Sequence, residues 1–321
     1  MPDPSRLPPA LAPGARVLVV APSGPPRDLP RLAAGLDALR AQGLVVETLR
    51  GAVPLDEAFA PHGFLSAPDE ARLDELNRAL RDPDAAAVFC VRGGYGALRL
   101  LPGLDYAAAR RHPKLLVGYS DITALHLALY RHAGWRGLSG PMVGVEWADL
   151  DAASAALFWD LARGGTPAPL VGPGGEALAG MHDGVAEGTL LGGNLALVSK
   201  LVGTPYLPDL AGAILFVEDV GEEPYRLDGL LATLWLAGVL ERLGGLVLGG
   251  FTDAAPTVDT SQTVDEVLAH YARFVPGPVA RGLVYGHFPV KNTLPVGVRA
   301  RLDVRGAAAR LDVLDPVANA A

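Results

Sequence analysis

A single cysteine in 321 residues rules out an intrachain disulfide. Cys90 lies inside the apolar run Ala86 to Val91 and reads as a small core residue rather than a reactive thiol. Basic charge is also scarce. The net charge of -8 offers no positive face for nucleic acid. An anionic substrate must therefore be drawn by a local cluster against the overall field. No apolar run is long enough to span a bilayer. The opening Met1-Pro2-Asp3-Pro4-Ser5-Arg6-Leu7-Pro8-Pro9 lacks the continuous apolar segment of a secretion signal. A cytoplasmic protein with no membrane partner is expected. His-Glu-x-x-His and paired-cysteine spacings are missing, which argues against zinc. Gly-x-Gly-x-x-Gly and Gly-Lys-Ser/Thr are missing too, so nicotinamide and nucleotide-hydrolysing chemistry are discounted.

What is present suits a buried core: 50% of residues are hydrophobic and 19% charged, in a chain long enough for two domains or one large one. Strand and helix patterns alternate through the first half. Arg16 to Ala21 reads as a strand, Leu29 to Gln42 as a helix and Val45 to Leu49 as the next strand. Ser66-Ala67-Pro68-Asp69 opens a further helix, with Ser66 as its cap and Asp69 as a capping-box acid, ending near Asp82-Pro83-Asp84. Ala86 to Val91 is another buried strand. This rhythm predicts an α/β domain over residues 1–160, a mostly parallel sheet flanked by helices, with ligands beyond the carboxyl ends of its strands.

Glycine and proline crowd residues 161–182, which read as a linker. Beyond it, residues 183–321 show β-prone runs at Ala213 to Glu218, Leu246 to Phe251, Leu283 to His287, Arg299 to Val304 and Ala309 to Val313. Helical patterns lie at Asn194 to Leu201, Leu227 to Leu236 and Val264 to Phe274. They predict an α+β domain with a strongly bent, barrel-like sheet, to which the many glycines contribute.

Four segments carry the chemistry. In the first, the strand ending Leu115-Leu116-Val117-Gly118 meets Tyr119-Ser120-Asp121, and a helical pattern starts at once. That geometry lifts a hydroxyl to a helix N-terminus, as in a serine nucleophile elbow, although Ile122 stands where the usual second glycine would be. Ser120 could equally be a helix cap, and Asp121 an acid complementing the dipole. In the second, Arg92-Gly93-Gly94-Tyr95-Gly96 follows the Cys90 strand with bare N–H groups suited to an oxyanion hole or, less well for want of the phosphate-loop spacing, a phosphate cradle; otherwise it serves only as a flexible turn. The third gathers four acids, Glu218, Asp219, Glu222 and Glu223, at the end of a β-run. They should raise one another's pKa, and strand alternation sends Glu218 and Asp219 to opposite faces. In the fourth, His287 ends an apolar run, in competition with His62, His112, His126, His132, His182 and His270.

Taken in order, these segments resemble the LD-carboxypeptidase family of serine peptidases, the muramoyltetrapeptide carboxypeptidases and their relation, the microcin C self-immunity peptidase. The likeness runs through Val19-Val20-Ala21-Pro22-Ser23-Gly24-Pro25, Arg92-Gly93-Gly94-Tyr95-Gly96, Gly118-Tyr119-Ser120-Asp121, Gly192-Gly193-Asn194-Leu195, Glu218-Asp219-Val220-Gly221-Glu222 and Gly286-His287. It implies a Ser120–His287–Glu218 triad formed at a domain interface, and it selects Glu218 over Asp219. It also implies an oxyanion hole from the backbone N–H groups of Gly94 and Asp121, with Gly93 as competitor. The implied reaction is hydrolysis of the L,D bond to terminal D-alanine in a murein tetrapeptide, by a homodimer without metal or organic cofactor. A carboxypeptidase must also hold a free carboxylate. Arg92, Arg226 and Lys291 are candidates, unless they are surface charges or partners of Glu222 and Glu223. Asn194 reads as a helix cap.

Two other functions stay open. A peptidyl-nucleotide immunity peptidase would need an aromatic face for the base, for which Trp147 and Trp235 are available. A non-catalytic module binding cell-wall peptides is the option from another class. An amidotransferase-like enzyme using Cys90 is poor, because no glycine elbow precedes that residue.

Overall fold

The computed structural model describes residues 7–51, 53–167, 169–172, 174–254 and 262–320. Residues 1–6 of the segment read for a secretion signal, and Ala168 and Pro173 of the expected linker, lie outside them. In chain order the elements begin β1 (Arg16–Val20), α1 (Leu29–Ala41), β2 (Val45–Thr48), α2 (Leu55–Ala58), α3 (Asp69–Arg81) and β3 (Ala87–Cys90). They continue through α4 (Tyr106–Arg111), β4 (Leu115–Val117), α5 (Thr123–Ala133), β5 (Gly137–Ser139) and α6 (Ala152–Ala162). After these come β6 (Leu178–His182), β7 (Gly184–Asn194), α7 (Leu195–Leu201), β8 (Ile214–Val220), α8 (Pro224–Leu236) and β9 (Gly245–Thr252). The chain closes with α9 (Val264–Ala272), β10 (Val279–Arg281), β11 (Leu294–Val296), β12 (Val298–Arg305) and β13 (Ala308–Val313). Two compact units result. The first takes the described residues of Met1–Gly165, Thr293–Gly297 and Pro316–Ala321, and the second takes those of Thr166–Asn292 and Val298–Asp315.

The first unit is built on a six-stranded sheet in the order β11-β5-β4-β3-β1-β2. Its strands from β5 to β2 are all parallel, and β11 adds an antiparallel edge. Burial on both faces explains why β1 and β3 read as unbroken apolar runs, whereas edge strand β2 alternates exposed and half-buried. Asp28 caps α1 by accepting from the Arg31 amide, and Leu32, Leu36 and Leu39 form its buried stripe. One expectation fails at α3. Pro68 occupies its N-cap, with no side-chain cap, and Ser66 lies too far out to reach the first-turn amides. The Ser66 hydroxyl instead donates to the Ala21 carbonyl and accepts from Arg50, tying this loop to the end of β1.

The second unit is a closed barrel in the order β10-β6-β13-β12-β7-β8-β9. The run β7, β8, β9, β10 is parallel and the other pairings are antiparallel. Strand β6 falls within the stretch read as linker. Leu283 to His287, expected as a strand, is an irregular segment after β10. Gly282 and Gly286 both adopt positive φ, which breaks the pleat. The segment still follows β9, with Leu283 N donating to Leu248 O at 3.2 Å and Gly250 N to Tyr285 O at 2.8 Å.

Close strand approach fixes glycine at position 192. Gly192 has φ 147°, and a Cβ there would stand 1.8 Å from the Phe216 carbonyl oxygen of β8. Gly192→Ala should therefore part β7 from β8 and cost about 3 kcal/mol or more. Chemical denaturation of the soluble fraction reads this directly, and unchanged stability would contradict the packing.

Candidate active site

In the first unit, strand β4 stops at Val117 because Gly118, at φ 152°, packs where a side chain cannot. A Cβ there would meet Cys90 Cβ and Ile122 Cγ1 at 3.1 Å each. Ser120 follows with φ 64°, a left-handed conformation that non-glycine residues rarely adopt. Such backbone costs on the order of 1 kcal/mol and persists only where surrounding structure enforces it. A short 3₁₀ turn, Ser120–Ile122, runs into α5, and neither is capped by a side chain. Ser120 is thus the strained residue of the bend and not the helix cap.

Three buried groups enforce that bend. The His126 ring, on the second turn of α5, donates from Nε2 to the Gly118 carbonyl at 2.8 Å. Burial lowers its pKa to about 4, so the enclosed ring stays neutral and is a weak base, with Nε2 committed to the Gly118 carbonyl. Tyr119 donates its hydroxyl to Glu146 Oε1 at 2.7 Å, and Glu146 Oε2 accepts from the Met142 amide. Asp121, only 2% exposed, accepts on Oδ2 from both Ser23 Oγ at 2.6 Å and the Ala97 amide at 2.8 Å. One carboxylate therefore joins the loop after β1, the segment after the glycine loop and the elbow itself.

The glycine loop stands directly against the elbow. A Cβ on Gly93 would lie 2.9 Å from Ser120 Cβ, 3.2 Å from Ser120 Oγ and 3.3 Å from the Asp121 nitrogen. Gly94 has φ 112° and is exposed. Among the described residues, neither Gly93 nor Gly94 gives its N–H to a partner. Arg92 is half-buried, and its Nη1 donates to the Pro25 carbonyl at 3.1 Å. Burial, and then the nearby Arg27 charge, lower its pKa, and no described carboxylate pairs with it.

The second unit contributes an acid–imidazole pair. Glu218 is fully buried, and its Oε2 accepts from His287 Nδ1 at 2.8 Å. The β8–β9 register shifts between Val217 and Asp219, with Gly249 and Gly250 of β9 standing opposite the single residue Glu218. Both acids are buried, and one side chain reaches them both. Asn194 Nδ2 donates to Glu218 Oε1 at 3.3 Å and to Asp219 Oδ1 at 2.9 Å. Asp219 is otherwise engaged by the amides of Ala196 and Val220, and burial raises its pKa. Gly286 makes room for the pair, since a Cβ there would stand 2.8 Å from Glu218 Oε2.

Asn194 does cap α7, accepting from the Leu197 amide, but its second role as a clamp on Glu218 left no spacing signal in the sequence. Lys291 is buried, 3% exposed. Arg226 lies exposed at the start of α8 and bonds to the Tyr225 hydroxyl rather than to Glu222 or Glu223. Trp147 is buried against Phe89, Phe158 and Trp159, and Trp235 stacks on Phe274 at 4.7 Å. Cys90 is buried and its thiol pKa is pushed up by desolvation, which suits a core residue. Among the described residues, no group of three or more His, Cys, Asp or Glu could hold a metal ion, and no helix is long and apolar enough to cross a membrane.

A strained serine elbow beside a glycine loop in a parallel α/β unit, followed along the chain by a barrel with a buried acid–imidazole pair, is the organisation of a peptidase. Residues 17–140 match the LD-carboxypeptidase N-terminal domain and residues 187–302 match the LD-carboxypeptidase C-terminal domain. The chain belongs to the LD-carboxypeptidase family. It is 34% identical over 302 residues to the Bacillus subtilis (strain 168) "Probable murein peptide carboxypeptidase", covering 92% of this chain and 91% of that one. The murein tetrapeptide carboxypeptidase of Pseudomonas aeruginosa is 35% identical over 256 residues, covering 76% of this chain and 81% of that one. The crystal structure of muramoyltetrapeptide carboxypeptidase from Oxalobacter formigenes superposes with a TM-score of 0.80 at 33% identity, covering 94% of this chain and 99% of that one.

Neutral, buried His126 has a consequence for stability. Its folded pKa of about 4 lies below the ordinary imidazole value of 6.5, so between these values only the unfolded chain takes up the proton. Stability falls as pH drops through that window, by up to about 3 kcal/mol from this group. Denaturation midpoints from pH 7 to 4 should show the loss, and His126→Gln should flatten the slope. An unchanged slope would refute the assignment.

Proposed function

We propose that this chain is a serine carboxypeptidase that hydrolyses the L,D bond to terminal D-alanine in murein tetrapeptides through an acyl-enzyme. The observation that carries this is the 2.8 Å bond from His287 Nδ1 to the fully buried Glu218 carboxylate. A carboxylate on Nδ1 selects the tautomer whose Nε2 bears the lone pair and stabilises the imidazolium that follows. His287 takes the Ser120 proton as Ser120 Oγ attacks the carbonyl of the diamino-acid residue. It then gives the proton to the departing D-alanine amine. Water deacylates the serine by the same relay in reverse. Backbone N–H groups of Gly94 and Asp121, with Gly93 as near competitor, receive the oxyanion, where losing one donor typically costs about 3 kcal/mol of barrier.

Substrate contacts are assigned to Arg92, Gly93, Arg226 and Lys291. Arg92 has the best support, as a half-buried cation in the glycine loop without a described carboxylate partner. The nucleophile belongs to the domain of residues 1–160, and the acid and histidine to that of residues 183–321. A cytoplasmic homodimer acting on free peptides, without cofactor, completes the proposal. A peptidyl-nucleotide substrate has less support, because both tryptophans considered for its base are occupied by other rings.

Mass spectrometry of products from L,D- and D,D-linked tetrapeptides tests the reaction, with D-alanine expected only from the L,D bond. Release only from the D,D bond would defeat the specificity. Ser120→Ala should lower kcat by at least about 10⁴-fold and abolish fluorophosphonate labelling. Glu218→Gln should cost about 10³-fold or more, with the labelling site intact. Retained hydrolysis and labelling in Ser120→Ala would remove the nucleophile from the proposal.

A further inference from the structure

Two large aromatic side chains stand out in water beside the glycine loop. Phe64 is 65% exposed and Tyr95 52% exposed, and their rings meet edge to face with centroids 5.4 Å apart at 77°. An isolated exposed aromatic needs no explanation, but a preorganised pair does, because its apolar faces are held in water. The backbone that carries each ring is tied down. Phe64 sits at the tip of a bridged turn in which His62 N donates to Leu65 O at 2.8 Å and Leu65 N to His62 O at 3.1 Å. Leu65 then packs on Gly96, where a Cβ would stand 2.6 Å from Leu65 Cδ2. The fully buried Arg72 guanidinium donates to the carbonyls of Gly96, Ala67 and Pro22, tying the glycine loop to the segment after the turn and to the loop after β1.

Tyr95 is two residues beyond Gly93, whose Cα lies against Ser120. By chain length its ring is within about 15 Å of the nucleophile. A tetrapeptide acylated through its third residue has two residues and its N-terminal substituent still to place, a reach of about 7–11 Å in extended chain. We propose that Phe64 and Tyr95 form a subsite for a saccharide ring, the muramoyl sugar at the N-terminal end of the peptide. This rests on the function proposed above. A pyranose has an apolar C–H face and a rim of hydroxyls. The former suits an open aromatic face, and the latter stays hydrated at an exposed site.

The test compares kcat/KM for one tetrapeptide with and without its muramoyl sugar, in the wild type and in Phe64→Ala, Tyr95→Ala and Tyr95→Phe. The wild type should prefer the sugar-bearing substrate. Each alanine variant should reduce that preference about tenfold, and Tyr95→Phe should retain it. Aspartyl sulfamoyl adenosine is a third substrate and sedimentation velocity a parallel measurement. A preference unchanged by both alanine variants overturns the subsite. So does a change confined to the nucleotide substrate, or conversion of a dimer to a monomer. If the wild type cleaves neither tetrapeptide, the proposed function fails. Cleavage of both without the predicted change in preference fails the subsite alone.

Discussion

The Asp121 carboxylate is the constraint on which the first unit's chemistry depends. Parallel strands deliver their loops to one edge of a sheet, but nothing in the ladder fixes those loops to one another. A single oxygen of Asp121 does so, accepting from Ser23 in the loop after β1 and from Ala97 just past the glycine loop. The residue belongs to the elbow itself, so the tie also sets where Ser120 stands relative to Gly93. Hydrogen bonds to a charged, buried acceptor are each worth about 1.5–3 kcal/mol, enough to hold a backbone that costs on the order of 1 kcal/mol at Ser120.

The same logic recurs in the barrel with amide in place of hydroxyl. Glu218 and Asp219 are adjacent, buried and of like charge, an arrangement that should repel. Asn194 resolves it by giving a donor hydrogen toward each. Asp219 spends its remaining capacity on the Ala196 and Val220 amides, so it fastens α7 to β8. Glu218 keeps Oε2 for His287. Division of labour between the acids thus follows from their hydrogen-bond partners. Breaking a buried pair by removing one partner is strongly destabilising, which links structural integrity here to the imidazole's orientation.

Much of this was legible in the sequence, for identifiable reasons. Buried parallel strands such as β1 and β3 must be apolar on both faces, so their runs stand out, and helices α1 and α9 announce themselves by period. The sequence segments that carried the family likeness contain the elbow, the glycine loop, the acid and the histidine. What stayed hidden was tertiary. Strand β6 lies among glycines and prolines and forms only because β10 and β13 pair with it. Leu283 to His287 has strand composition, yet two positive-φ glycines bend it away from a ladder. Strand period sends Glu218 and Asp219 to opposite faces, but it could not show that Asn194, at the end of neighbouring β7, reaches both carboxylates. Ser66 looked like a cap until the competing acceptor, the Ala21 carbonyl, was in place.

The departure from the usual elbow pattern has its own physical account. In Gly-x-Ser-x-Gly the second glycine lets helix and strand approach closely behind the nucleophile. Here Ile122 occupies that position and is fully buried. The room comes instead from Gly118, on the other side of the serine, against whose Cα both Ile122 Cγ atoms pack within 3.3 Å of the absent Cβ. His126, one turn further along α5, binds the Gly118 carbonyl through Nε2. One glycine before the serine and one buried imidazole after it thus do the work that a second glycine performs elsewhere. The bend at Ser120 is a property of that three-residue arrangement and not of the short motif around it.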